Sequence, residues 1–412
     1  MNLPTVEIVP LRGAVRSDST SSLDLLLRIL PHSPKTKLQR PPLNLGLVLD
    51  RSSSMTGHKK MDYARDAAIF AVQQLTDTDR ISVTTFDDKI ETIIPNTTGQ
   101  NKAIIVNAIR RIEPRGSTDL HGGWKEGAQQ VEQHLLSKGI NRVLILSDGQ
   151  TNQGETDPDK ISSATHALAR KGVSTTTLGV GDDYNEDLME AMARSGDGNY
   201  YFIEAPEQLA AIFQTELTGL MAMSGHTMSL GLEPSKGVEV SDVLNDLDSL
   251  PTGRWKLPNL IAGMPITVAL RLKVEAFRGE REICKFRVAW TSPEDSKRHS
   301  FTVALKLPAV GETAWEKLEP NAEVQEHFAL LHIARDKKRA TEMYEHGNHA
   351  GAEKVLADAC IVLAYCPASP EIREEQAALA GLQQQLANGE GDKFRKAGKF
   401  QAYQRRQSKN AT

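Results

Sequence analysis

The chain has 412 residues, 39% of them hydrophobic and 25% charged, with 49 basic side chains against 53 acidic ones and a formal net charge of −4. That length predicts two or three domains. The near-neutral balance excludes a general electrostatic partner such as nucleic acid or an anionic membrane surface. The longest apolar runs, LNLGLVLD and NRVLILSD, are of strand length and too short to span a membrane. The start, MNLPTVEIVPLRGAVRSD, lacks the basic-then-apolar pattern of a secretory leader. Cys284, Cys360 and Cys366 have no metal-ligand spacing and suit reduced thiols, so a cytoplasmic setting is expected.

In chain order, residues 6–9 and 23–30 read as strands. Residues 43–50 form an apolar run ending in an acid, as in a strand buried on both faces. Residues 61–75 carry apolar side chains at helical spacing (Met61, Ala64, Ala68, Leu75). Residues 80–86 and 90–94 are two strands joined by the acidic turn Asp87-Asp88-Lys89. Then come helices at 102–112 and 120–136, a strand at 141–147, a helix at 158–171 stopped by Gly172, and a strand at 173–180. Residues 186–194, 200–203 and 207–221 finish the series as helix, strand and helix. Such alternation predicts a doubly wound α/β domain over 42–224, with a mostly parallel sheet that places ligands at the carboxyl ends of its strands.

From 225 to 310 the pattern changes to short β-branched stretches at 226–232, 238–243, 266–274, 282–289 and 301–307, punctuated by Gly and Pro. These read as a β-sandwich. The strands within 1–41 need partners, and this sandwich is the expected host, so the α/β domain is read as inserted within it. Residues 320–390 are Ala-, Leu- and Glu-rich and read as helices at 324–345, 350–364 and 371–387. Residues 391–412 read as a basic flexible tail, with seven Lys or Arg from 393 onward and no acid among them.

Chemistry gathers at three loops. The 43–50 strand runs into Asp50-Arg51-Ser52-Ser53-Ser54, the 141–147 strand into Ser147-Asp148-Gly149, and Gly116-Ser117-Thr118-Asp119 precedes a helix. All three belong at the carboxyl edge of the sheet. Asp50, Ser52, Ser54, Thr118 and Asp148 offer only oxygen, which suits a hard cation, Mg²⁺ or Mn²⁺, with Ca²⁺ as a further fit. Two carboxylates among neutral hydroxyls leave a 2+ ion electrophilic enough to take one more anionic oxygen. Taken singly, the same residues read as helix caps or a turn.

The joint pattern resembles the metal-ion-dependent adhesion site of von Willebrand factor type A (VWA) domains: Asp-x-Ser-x-Ser, then a Thr, then an Asp. The resemblance implies direct coordination by Ser52 and Ser54, with Thr118 joining in the ligand-competent state. It gives Asp50 and Asp148 a role mainly through water or from behind the direct ligands, and implies a shift of the helix at 207–221 on binding. Ser53 stands where many members have glycine. The flanking strands and helices are similar to the bacterial branch related to calcium-activated chloride channel-like and inter-alpha-trypsin inhibitor-like proteins. The expected function is metal-dependent binding of a partner's Asp or Glu carboxylate, with no catalytic residues and no enzyme activity. The alternative is a subunit or adaptor of an AAA+ ATPase remodelling or metal-insertion complex. A Walker-type phosphate loop and an HExxH zinc motif are both missing from the sequence.

Overall fold

The computed structural model describes residues 4–31 and 41–407. They divide into two units, one drawn from both ends of the chain and the other from its middle, residues 41–223 with the short segment 293–296. Strands β1 (Thr5–Pro10), β2 (Val15–Arg16) and β3 (Ser21–Leu30) open the chain and belong to the first unit.

The middle unit runs β4 (Leu43–Asp50), α1 (Lys60–Gln74), β5 (Arg80–Phe86), β6 (Ile90–Thr98), α2 (Lys102–Arg110) and α3 (Leu120–Glu132). It continues through β7 (Ile140–Ser147), α4 (Pro158–Arg170), β8 (Val173–Val180), α5 (Glu186–Ser195), β9 (Tyr200–Ile203) and α6 (Leu209–Met221). The sheet order is β6-β5-β4-β7-β8-β9. Every pairing is parallel except the β5–β6 hairpin. All eight residues of β4 and of β7 are buried, as central strands covered on both faces require. On one face α1, α2 and α6 contribute Ala64, Ala68, Ile105, Phe213 and Leu217 to the core. On the other, α3 lies close to β4, because a Cβ at Gly46 would meet Val131 Cγ2 at 2.7 Å and one at Gly127 would meet Val48 Cγ2 at 2.2 Å. From β4 the chain moves outward through β5 and β6, then returns to the other side of β4 as β7. The switch in strand order therefore falls between β4 and β7, where doubly wound sheets open a crevice.

The second part of the first unit contains β10 (Met223–Pro234), β11 (Val238–Val243), β12 (Trp255–Lys256), β13 (Leu260–Ile261), β14 (Ile266–Val274), β15 (Gly279–Thr291) and β16 (Arg298–Val310). One sheet has the order β1-β3-β14-β11 and the other β12-β10-β15-β16-β2, with β13 beside β10. Their inner faces share a core that includes Leu25, Leu27, Ile29, Leu230, Phe286 and Val288. The amino-terminal strands are thus part of the sandwich, and the α/β unit interrupts it in sequence.

Helices α7 (Glu312–Glu316), α8 (Ala322–Glu345), α9 (His349–Ala364), α10 (Pro370–Ala387) and α11 (Gly391–Arg406) complete the same unit. Helix α8 covers the outer face of the four-stranded sheet, setting Val324, Phe328 and Leu331 against Leu26, Leu244 and Ala269. Asn321 caps α8, its Oδ1 accepting the N–H groups of Glu323 and Val324 at 3.0 and 3.2 Å. Asn321→Ala is expected to lower the unit's stability by about 1 kcal/mol in urea unfolding. No change would mean that water satisfies these N–H groups equally well.

Residues 391–406 depart from the flexible tail expected of them. They form α11, with Phe394, Ala402 and Tyr403 buried. Its cations are balanced by acids far away in sequence: Lys399 by Glu345 at 2.6 Å and Arg405 by Glu375 at 3.0 Å. Glu375 also holds the buried Lys337 at 2.5 Å. Among the described residues no helix is long and apolar enough to cross a membrane.

Candidate functional site

The carboxyl ends of β4 and β7 lie side by side, Leu49 opposite Leu146. This register brings Asp50 beside Ser147, whose hydroxyl donates to Asp50 Oδ2. The other oxygen of Asp50 accepts the Ser52 backbone N–H at 2.7 Å, which turns the chain sharply out of the strand. Met55, fully buried, pins the turn that follows. The result sets the Ser52 and Ser54 hydroxyls 2.9 Å apart. Ser54 Oγ donates to Asp148 Oδ1 at 2.6 Å, linking the first loop to the end of β7.

Thr118 arrives from the loop before α3. A Cβ at Gly149 would lie 3.1 Å from Thr118 Oγ1 and 3.5 Å from Ser54 Oγ, so glycine leaves room for both hydroxyls there. Thr118 is held by its backbone: its N–H donates to Asn152 Oδ1 at 3.0 Å, and its carbonyl accepts from the N–H groups of Asn152 and Gln153, each at 3.2 Å. The capping role considered for this segment falls to the next residue, since Asp119 Oδ1 accepts the Gly122 N–H at 2.9 Å. All five residues singled out in the sequence therefore sit at this one edge. Asp50, Asp148, Ser52 and Thr118 are buried there.

Several participants were not singled out. Asp87, at the end of β5, accepts Arg51 Nε at 2.9 Å, Arg115 Nε at 2.7 Å and the Lys89 N–H at 2.6 Å. Its backbone carbonyl accepts the Asp119 N–H at 3.0 Å. Burial pushes the Asp87 carboxyl up, but its bonds to Arg115 and Lys89 and the charges of both arginines outweigh this and hold it below the ordinary carboxylate range. Asp87 thus staples the loop of Ser52 to the loop of Thr118. Ser53 adds to the same seam, its hydroxyl donating to the Gly116 carbonyl at 3.0 Å, a bond glycine would lack. Lys60, the first residue of α1, places Nζ 2.6 Å from Asp148 Oδ2. The adjacent Lys59 and Lys60 look alike in sequence, and only the fold distinguishes the inward one.

Burial dominates the electrostatics of Asp50. Its carboxyl is pushed up to about 6, chiefly by desolvation and further by the neighbouring Asp148, against the bonds from Ser147 and Ser52. A carboxylate raised in this way gains from a nearby cation. Only oxygen atoms converge from the five residues, so the donor set fits a hard divalent ion.

Comparison with known proteins bears on the fold that carries these residues. The profile of the von Willebrand factor type A domain matches residues 44–215. The protein sll0103 of Synechocystis is 28% identical over 339 residues, covering 78% of this chain and 78% of its own. The inter-alpha-trypsin inhibitor heavy chain H3 of Rattus norvegicus is 27% identical over a match that covers 38% of this chain and 18% of that protein. A von Willebrand factor type A structure from Catenulispora acidiphila aligns with a TM-score of 0.70 at 14% identity, covering 93% of this chain and 89% of its own, which shows a shared fold. Residues 44–215 of this chain are a von Willebrand factor type A domain.

Proposed function

We propose that this domain binds Mg²⁺ or Mn²⁺ through Asp50, Ser52, Ser54, Thr118 and Asp148, and uses the ion to hold an Asp or Glu carboxylate of a partner protein. The observation that carries the reading is the pair of hydroxyls, Ser52 and Ser54, 2.9 Å apart and joined to Asp148 at 2.6 Å. An octahedral ion with ligands at about 2.1 Å has adjacent oxygens roughly 3 Å apart, so small ions suit this pair better than Ca²⁺. The ion would meet hydroxyls directly and carboxylates that are already hydrogen-bonded. It would therefore keep enough positive character to accept an acidic side chain. The role is binding rather than catalysis. The three free cysteines support a cytoplasmic setting for it.

The test is a thermal shift. Mg²⁺ or Mn²⁺ at a hundred times its dissociation constant is expected to stabilise the wild type by about 2.7 kcal/mol and raise its melting temperature by several degrees. Asp50→Ala and Ser52→Ala should show no such shift. Equal shifts in all three proteins would remove the site. Capture of a partner in Mg²⁺, repeated in chelator, then tests the carboxylate-binding step.

A further inference from the structure

Lys60 occupies the first position of α1. A cation there faces the positive end of the helix dipole, an unfavourable place for it. The two residues before it, His58 and Lys59, have φ of 50° and 57°, a left-handed conformation that side chains with a Cβ rarely adopt. Two local penalties therefore meet at one point in the chain. Both accompany the same outcome, a lysine whose side chain is 10% exposed and whose ammonium lies 2.6 Å from the fully buried Asp148 carboxylate. The ammonium also lies beneath the end of β8, where a Cβ at Gly181 would be 3.5 Å from both Cε and Nζ.

We infer that Lys60 is a tethered cation that cancels one of the two negative charges at the proposed metal site, so that the ion binds weakly alone and tightly when an anionic ligand joins it. The inference rests on the metal-site reading above. Without Lys60, Asp50 and Asp148 would neutralise a 2+ ion. With it, ion and site together keep one positive charge, and a ligand carboxylate completes the balance. The two Asp148 oxygens divide the work: Oδ2 is committed to Lys60, while Oδ1 faces Ser54 and the hydroxyl pair. Lys60 is a positioning and charge-setting residue, and it makes metal affinity and ligand affinity depend on each other.

The experiment titrates Mn²⁺ into the full chain by calorimetry, with and without acetate as the carboxylate probe. Acetate is expected to tighten Mn²⁺ binding in the wild type. Lys60→Met, of similar length without the charge, should bind Mn²⁺ at least tenfold more tightly and lose most of the response to acetate. Lys60→Gln, which can still donate to Asp148, should behave like Lys60→Met and serves if the methionine variant does not fold. Lys60→Arg should resemble the wild type. Equal or weaker Mn²⁺ affinity in the neutral variants overturns the inference and leaves the metal site standing. Failure of the wild type to bind Mn²⁺ removes both.

Discussion

Replacing Asp50 by asparagine is expected to make the protein more stable at pH 7 in chelator, by on the order of 3 kcal/mol. The Asp50 carboxyl is fully buried and titrates near 6 in the folded chain, against an ordinary value of 3.8. Folded protein therefore binds this proton more tightly than unfolded protein does. Where the native state holds more protons, stability falls as pH rises. The deficit develops between about pH 4 and 6 and is fully present above that window. Asparagine imitates the neutral acid: it keeps an oxygen for the Ser52 N–H and offers an amide to the Ser147 hydroxyl. Urea unfolding in chelator, followed by hydrogen exchange at the amides of β4 and β7, should show the variant ahead at pH 7. The gap should narrow toward pH 4. Mg²⁺ at a thousand times its dissociation constant, worth about 4 kcal/mol, should reverse the order, since only the wild type gains from the ion. A variant less stable than the wild type at pH 7 in chelator would mean that the Asp50 charge is favourable where it stands.

Deleting residues 4–30 is expected to abolish the folded sandwich while the α/β unit survives. Strand β3 lies between β1 and β14, and Leu25, Leu26, Leu27 and Ile29 are each 0% exposed. Losing even one such side chain typically costs 2–5 kcal/mol, so losing four exceeds the roughly 5–15 kcal/mol that holds a domain together. Hydrogen exchange should show protection lost along β14, β15 and β16 and kept along β4 and β7. Full protection of β14 in the deletion would refute the role given to β3.

What could be read from the sequence and what could not follow the same physical line. Strands β4 and β7 are legible because burial on both faces leaves an unbroken apolar run. The Asp-x-Ser-x-Ser spacing is legible because its geometry is local. Lys60 and Asp87 are not, because their meaning lies in Asp148 and Arg115, which no local pattern connects to them. Helix α11 was missed for a related reason. Its charge density suggests a solvated tail, and the acids that neutralise it, Glu345 and Glu375, come from earlier helices. The short strands β2, β12 and β13 are two residues each and carry no periodicity.

The pairing of β3 with β14 bears on the order in which the chain folds. Leu27 meets Val268 across roughly 240 residues, whereas β4 and β5 meet after a single helical crossover. On a ribosome, β3 and its neighbour β1 emerge long before β14 exists, so one edge of β3 must wait unpaired. Closing so long a flexible loop is entropically unfavourable, and collapsing the intervening residues into a compact body shortens it. The α/β unit is thus expected to fold as synthesis proceeds, with the sandwich assembling afterwards around a nearly finished chain. Until then the leucines of β3 stay exposed, which is a hazard for aggregation.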